Sequence, residues 1–138
     1  MADYTAIALD LMDGFNARDL ERVTRHLHPG YEATWPHGHL AGADAMAHEL
    51  GILAALPDLQ MAVQRVTETD DGALVEVRAQ GTHTGDWTAP DGERFPASGR
   101  SIDAPMALVM VFDGDQVRAE RIYFDQQTLH DSLRSRRS

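Results

Sequence analysis

Two residues of this sequence are suited to proton transfer, a carboxylate, Asp125, and a histidine, His83. Asp125 follows the strand-like pattern RIYF and precedes the helical pattern QQTLHDSL, a position where aspartate commonly serves as a helix N-cap. Alternation along the strand places Arg121, Tyr123 and Asp125 on one face. An aromatic wall would desolvate the carboxyl and raise its pKa, which favours a general base, although pairing with Arg121 would lower that pKa.

His83 lies within GTHTG, residues 81–85. Alternation places its side chain on the apolar face of its strand, with Val75, Val77 and Ala79. If that face is concave, the imidazole can polarise a carbonyl or relay a proton. If the face meets helices or another subunit, His83 is a core histidine with one satisfied nitrogen. The flanking glycines permit a bulge that would reverse the facing, so both alternatives stay open.

A pocket near these residues would bind the substrate. Tyr123 could hydrogen-bond the oxygen of a developing enolate, although aromatic residues at this spacing commonly belong to a core. The residues predicted to line the pocket are Tyr123, Arg121, Trp35, His37, Phe15 and Met106. The histidine pairs His26/His28 and His37/His39 lack a further ligand at zinc-site spacing, so no metal is predicted. No phosphate-binding loop or nucleophile elbow occurs, and no cofactor is predicted.

Composition limits the possible classes of protein. A chain of 138 residues fits one domain with a substantial core, and we predict a single domain over residues 1–133 with a basic disordered tail over 134–138. The absence of cysteine excludes disulfides and thiolate chemistry. A net charge of −10 disfavours nucleic acid as a partner. Without a long apolar run or a basic leader, neither membrane association nor export is predicted, and a cytoplasmic protein is expected.

Hydrophobic periodicity predicts an α+β fold. Helical patterns predict three helices before the sheet. The first covers residues 3–19 and the third covers residues 43–56. The second is a short segment with its apolar stripe at Leu20, Val23 and Leu27, and Pro29 ends it. Between the last two helices, YEATWP reads as a strand and HGHLAG as a loop. Period-two patterns then predict an antiparallel meander over residues 59–69, 73–85, 101–112 and 117–124, with a flap over 86–99 and a closing helix over 126–133.

The strand from Ile102 to Phe112 is apolar on both faces. One face can pack against the helices, whereas the other needs a partner to cover it. The sequence therefore predicts a homodimer formed through the outer face of the sheet.

Four stretches of the sequence resemble the SnoaL-like polyketide cyclases of the nuclear transport factor 2-like superfamily. They are LAGADAM, GTHTG, FDGDQV and ERIYFDQQTL. The resemblance implies a cone-shaped barrel in which a curved antiparallel sheet wraps around an N-terminal set of helices and encloses a pocket. It also implies that an aspartate at the end of the last strand catalyses an intramolecular aldol ring closure without metal or organic cofactor. The matching residue is Asp125.

Two classes of function follow from these observations. The first is an enzyme that abstracts a proton next to the carbonyl of an apolar small molecule, most concretely a polyketide-like cyclase, with Asp125 as base and His83 or Tyr123 at the enolate oxygen. A ketosteroid isomerase-like enzyme is an alternative. YFD and GRS also resemble the limonene epoxide hydrolases, but Gln80 lies where their second carboxylate is expected, with Arg78 as the matching arginine. The second class is a non-catalytic ligand carrier or dimerisation module, in which Asp125 is a cap.

Overall fold

The computed structural model describes residues 2–36 and 38–134. They form an α+β structure, as predicted, with the helices on one side of a curved, open sheet. In chain order the elements are α1 Tyr4–Asn16, α2 Leu20–Arg25, β1 Leu27–Trp35, β2 Gly38–Ala41, α3 Gly42–Ala55, β3 Gln60–Thr69, β4 Gly72–Thr82, β5 Trp87–Thr88, β6 Arg94–Phe95, β7 Ser101–Asp113, β8 Gln116–Tyr123 and α4 Gln126–Leu133.

Aspartate N-caps begin three of the helices. The side chains of Asp3, Asp19 and Asp125 accept hydrogen bonds from backbone N–H groups three residues further on, at 3.1, 3.1 and 3.0 Å. Each bond satisfies one of the N–H groups that a helix start leaves unpaired, a contribution of about 1 kcal/mol. The closing helix α4 has the boundaries that the sequence predicted.

The main sheet has six strands in the order β2-β1-β8-β7-β4-β3. The meander β3-β4-β7-β8 is antiparallel, as predicted, whereas β1 and β8 pair in parallel. The prediction of a wholly antiparallel sheet was therefore wrong for the pairing of β1 with β8. A parallel pair needs a long crossover connection, and here the chain between β1 and β8 supplies it. The pairing brings an early and a late strand side by side behind the helices.

Two predictions for the N-terminal part of the chain were wrong. α2 ends at Arg25, and Leu27 already pairs with Val117 of β8, so the helix doesn't continue to Pro29. Strand β1 accommodates Pro29 because its register with β8 shifts between Leu27 and Glu32. The predicted loop HGHLAG contains strand β2, which forms a hairpin with β1.

Arg134, which the sequence assigned to the tail, lies directly after α4 and pairs with two carboxylates. Its guanidinium contacts Glu93 Oε2 at 2.8 Å and Asp131 Oδ1 at 2.6 Å. Residues 135–138 lie outside the described residues. None of the helices within residues 2–36 and 38–134 combines the length and the apolar character needed to span a bilayer.

Buried side chains form two clusters on the inner side of the sheet. One joins α1 and β1 to the middle of β4, β7 and β8 and includes Met12, Tyr31 and Met110. The other joins the end of α3 to α4 and the β5–β6 hairpin and includes Trp87, Phe95 and Leu129. Half-buried residues such as Phe15, Met106 and Phe124 contact both clusters, and a cavity lies between them.

Candidate active site

A cavity of about 140 Å³ lies between the helices and the concave face of the sheet. Its wall consists mainly of aliphatic and aromatic side chains from α1, α3, α4 and the long strands. Three of the residues predicted to bind substrate, Phe15, Trp35 and Met106, lie in this wall. A cavity of this size is comparable to an engineered apolar cavity that binds benzene.

Tyr31, Glu49 and Glu120 form the polar end of the cavity. Tyr31 and Glu120 lie on the paired strands β1 and β8, where Glu120 is in register with Ala33. The Tyr31 hydroxyl donates a hydrogen bond to Glu120 Oε1 at 2.9 Å. Glu49 lies on α3, which packs against β1. A helix and two strands thus hold two carboxyl groups in one apolar enclosure.

The apolar surroundings change the protonation of all three groups. Burial and the negative charge of Glu120 raise the pKa of Glu49 to about 8. Burial also raises the pKa of Glu120, and the hydrogen bond from Tyr31 partly offsets that rise by stabilising the carboxylate. Burial, with the negative charges of Glu120 and Glu49, raises the pKa of Tyr31, so its hydroxyl keeps its proton. Desolvation is the largest cause at each residue.

The pKa of about 8 sets the state of Glu49 at neutral pH, whereas the hydrogen bond from Tyr31 distinguishes Glu120. Glu49 is mainly protonated and can donate a hydrogen bond or a proton. Glu120 accepts a hydrogen bond from Tyr31, so it is the better candidate for the ionised partner. Acid–base enzymes use two carboxyl groups in different surroundings to divide the roles of acid and base.

An aromatic wall adjoins this polar end. The His48 ring, one residue before Glu49, packs edge-on against Trp35 with the ring centroids 4.6 Å apart. The same imidazole lies 6.1 Å from the Trp87 ring of β5. Both tryptophans and His48 line the cavity, so a ligand at the carboxyl pair would lie against aromatic surfaces.

The structure orients the face shared by Arg121, Tyr123 and Asp125 away from the cavity. Among the described residues that line the cavity, the β8 members are Glu120 and Ile122, on the opposite face of the strand. Tyr123 is 53% exposed, and Asp125 is exposed. Alternation grouped the three residues correctly, but it couldn't decide which face looks inward.

Asp125 is a helix cap in this structure. Its carboxylate accepts hydrogen bonds from Thr128 N at 3.0 Å and from Thr128 Oγ1 at 2.8 Å. These bonds, the backbone one first, lower the pKa of Asp125, because they stabilise the charged form. The predicted rise in the pKa was therefore wrong, since the carboxyl is solvated rather than enclosed by the aromatic wall.

His83 is fully buried but isn't among the described residues that line the cavity. Its Nδ1 lies 2.8 Å from Ser98 Oγ, and its backbone bonds to both Gly99 and Arg100. In the same GTHTG motif, Gly85 packs so closely on α3 that an added Cβ would lie 2.4 Å from Ala54 O. The motif therefore connects both ends of the flap to the rest of the fold. This arrangement agrees with the alternative in which His83 is a buried core residue.

The other predicted groups lie elsewhere. His37 is outside the described residues. Arg78 Nε contacts Asp103 Oδ1 at 2.8 Å, and both side chains are partly exposed. An epoxide hydrolase-like set of Asp125, Arg78 and Gln80 is thus not assembled in the cavity. Within residues 2–36 and 38–134, no three His, Asp or Glu side chains converge as metal ligands would.

Sequence reasoning missed Tyr31, Glu49, Glu120 and His48, although two of them carry a readable signal. Glu49 interrupts the apolar stripe of α3 that runs through Ala45, Ile52 and Leu56, which is an unusual position for a carboxylate. Glu120 lies on the same face as Ile122 and Phe124, which is the apolar side of β8. A charged residue in phase with a buried face was the sign to look for.

The family model of the SnoaL-like polyketide cyclases matches residues 6–133. No curated protein matches the chain.

Solved structures share the fold. A candidate SnoaL-like polyketide cyclase from Jannaschia sp. CCS1 aligns with a TM-score of 0.84 and 21% identity over 96% of this chain and 92% of that chain. IdmH, a candidate polyketide cyclase from Streptomyces antibioticus, aligns at 0.76 and 18% identity over 95% and 98%. AclR, a candidate hydroxylase from Streptomyces galilaeus, aligns at 0.78 and 20% identity over 93% and 82%. These names describe different reactions, so the likeness establishes the fold alone.

Proposed function

This chain belongs to the SnoaL-like polyketide cyclase family, and we propose that it catalyses proton abstraction next to the carbonyl of an apolar small molecule, with Glu120 as base and Glu49 as acid. The observation that carries the proposal is the pair of carboxyl groups at one end of an otherwise apolar cavity. Ring closure of a polyketide-like ester by an aldol reaction is its most concrete form.

The proposed reaction begins when the Glu120 carboxylate removes a proton from the carbon next to the substrate carbonyl. The electron pair of that C–H bond moves into the carbonyl, which becomes an enolate. Protonated Glu49 hydrogen-bonds the enolate oxygen, and this bond strengthens as negative charge develops there. In a cyclase the enolate carbon then attacks a second carbonyl of the same molecule, and the new alkoxide takes the proton that Glu120 had removed, which restores the carboxylate.

The remaining residues position the reacting groups. Tyr31 orients Glu120 through its 2.9 Å hydrogen bond, so we assign it a positioning role rather than contact with the carbonyl. Trp35 and Phe15 would bind the apolar part of the substrate. The apolar wall also lowers the local polarity, which strengthens the interactions between Glu49 and a developing oxyanion.

Hydrogen–deuterium exchange at carbon tests the shared first step without knowledge of the natural substrate. One-ring ketones and β-keto esters are incubated with the protein in D₂O, and loss of the proton next to the carbonyl is followed by NMR. We expect exchange with the wild-type protein and a reduction of about 100-fold or more in Glu120→Gln, the scale of general base catalysis. Glu49→Gln should lower the rate by about tenfold or more, because an amide N–H is a weaker donor to the enolate oxygen than the O–H of a protonated carboxyl.

Two further variants make the test specific. Glu76→Gln removes an exposed carboxylate on β4 and serves as the matched control. Asp125→Asn tests the assignment made from sequence, and asparagine preserves the helix cap. The proposal is contradicted if Asp125→Asn abolishes exchange while Glu120→Gln keeps the wild-type rate. A ligand carrier would bind the ketones and give no exchange with any variant.

A further inference from the structure

The charge of the cavity is unbalanced. The sequence contains no lysine, and none of the described residues that line the cavity is an arginine. The carboxyls of Glu49 and Glu120 share this space, and the hydrogen bond described for Glu120 comes from the neutral Tyr31 hydroxyl. A buried carboxylate is normally stabilised by a cation or by several donors. The fold therefore leaves room for a positive partner at this point.

The same arrangement discriminates among ligands by charge. A ligand carboxylate or phosphate would face the Glu120 carboxylate in an apolar enclosure whose described lining contains no arginine or lysine to pair with it. Like charges there repel strongly, because little water separates them. A neutral ligand gains burial of its apolar surface alone, whereas a cationic ligand also gains charge-assisted hydrogen bonds to the carboxyl groups.

The walls of the cavity suit the rest of such a ligand. Aromatic residues form part of the cavity wall, and Trp35 packs beside His48, the neighbour of Glu49 on α3. Faces of tryptophan and tyrosine rings attract ammonium groups, and the attraction is strongest where water is excluded. A volume of about 140 Å³ holds one ring with a short side chain.

We propose that the cavity binds lipophilic primary amines of about one ring, with the ammonium group at the carboxyls of Glu49 and Glu120 and the ring against the aromatic wall. This binding uses the same carboxyl pair as the proposed function but needs no reaction. It adds a ligand class, the lipophilic cation, to the carbonyl compounds considered above. An amine bound in this way would also compete with a carbonyl substrate, because both would occupy the polar end.

Three ligands with one ring and different charges test the proposal. Benzylamine is cationic at neutral pH, benzyl alcohol is neutral and benzoate is anionic, and all three are titrated into the full chain by isothermal titration calorimetry. We expect benzylamine to bind about tenfold or more tightly than benzyl alcohol, which corresponds to one charge-assisted hydrogen bond. Benzoate should give no measurable heat of binding.

Variants locate the charge preference. Glu120→Gln should bring the affinity for benzylamine to within about twofold of that for benzyl alcohol, and Glu49→Gln should reduce the preference in the same direction. Glu76→Gln on β4 is the matched control and should keep the wild-type ratio. Thermal unfolding of each variant verifies that it is folded, and the three-ligand comparison on the wild-type protein is independent of any variant.

The outcomes are separable from those of the exchange experiment. Equal affinity for the amine and the alcohol, binding of neither, or a preference that persists in both Glu49→Gln and Glu120→Gln would overturn the amine proposal. A protein that exchanges ketone protons without preferring the amine contradicts this inference alone. A protein that prefers the amine but exchanges no ketone protons contradicts the proposed function alone.

Discussion

Glu49 and Asp125 are both acids, and their surroundings move their pKa values in opposite directions. Glu49 lines an apolar cavity beside Glu120, where burial and a like charge disfavour its ionised form. Asp125 is exposed and accepts two hydrogen bonds from Thr128, which favour its ionised form. At the scale of single residues, the environment rather than the residue type decides which carboxyl can act as an acid near neutral pH.

Replacing Glu49 with glutamine should make the protein more stable at alkaline pH. The folded-state pKa of about 8 lies above the ordinary value of 4.5, so the folded protein binds more protons than the unfolded chain between these values. The contribution of the Glu49 carboxyl to the free energy of unfolding is fully present below pH 4.5 and is lost as the pH rises through 8. Thermal unfolding should show Glu49→Gln near wild type at pH 5 and more stable at pH 8.5, by a few kcal/mol at most.

Glu76→Gln is the control for that comparison, because its carboxylate is exposed on β4. The control should show no stabilisation that grows with pH. A difference between Glu49→Gln and wild type that stays constant from pH 5 to pH 8.5 would contradict the assignment of the raised pKa to Glu49.

Tyr31→Phe should shift the pH dependence of proton exchange. The variant removes the donor to Glu120, which stabilises the ionised carboxylate, so the pKa of Glu120 rises further. The acidic limb of the profile of exchange rate against pH should move to higher pH by about one unit. The free energy of unfolding should fall by about 1–3 kcal/mol. An acidic limb that stays in place, with only a uniformly lower rate, would show that Tyr31 doesn't act through Glu120.

At the scale of elements, α4 and the β5–β6 hairpin form one end of the cavity. Leu129 and Leu133 of α4 and Trp87 of β5 lie in its wall. Phe95 of β6 packs against His130 of α4 with ring centroids 4.7 Å apart, and Glu93 contacts Arg134 after the helix. The N-cap at Asp125 starts this helix, so its carboxylate contributes to the cavity through α4 rather than by contact with a ligand.

The cap role of Asp125 predicts different effects of two substitutions. Asp125→Ala removes the acceptor for Thr128 N and should cost about 1 kcal/mol, a decrease of a few degrees in Tm, whereas Asp125→Asn should cost much less. Hydrogen exchange of the α4 amides should be faster in the alanine variant than in the asparagine variant. Equal losses in both variants would indicate that the negative charge, and not the cap, is what the protein requires.

At the scale of the whole molecule, the outer face of the sheet carries an apolar centre. Val109 of β7 pairs with Leu74 of β4 on one side and with Arg121 of β8 on the other. Val111 and Ala107 extend this surface along β7, and Tyr123, opposite Ala107, is 53% exposed. Charged residues such as Glu76 lie beside it. An apolar sheet face with a polar rim is typical of a subunit interface.

We propose that two copies of the chain associate through this face. Light scattering coupled to size-exclusion chromatography should give twice the mass of one chain for the wild type. Val109→Glu places a charge at the centre of the face and should give the mass of one chain, since burying an unpaired carboxylate is costly. Gln64→Glu adds the same charge on the edge strand β3 and should remain dimeric. A wild type with the mass of one chain would refute the interface.

The sequence by itself determined the main helices, the Asp125 cap, the meander and the residues that share each face. These features depend on local periodicity and on the chemistry of turns and caps. Only the tertiary structure decided which face of β8 looks inward, because alternation groups residues without giving the direction of a face. That direction makes Glu120 a cavity residue and Asp125 a cap. The parallel pairing of β1 with β8 and the approach of α3 then bring Tyr31 and Glu49 to Glu120, contacts between residues far apart in the chain that no local pattern records.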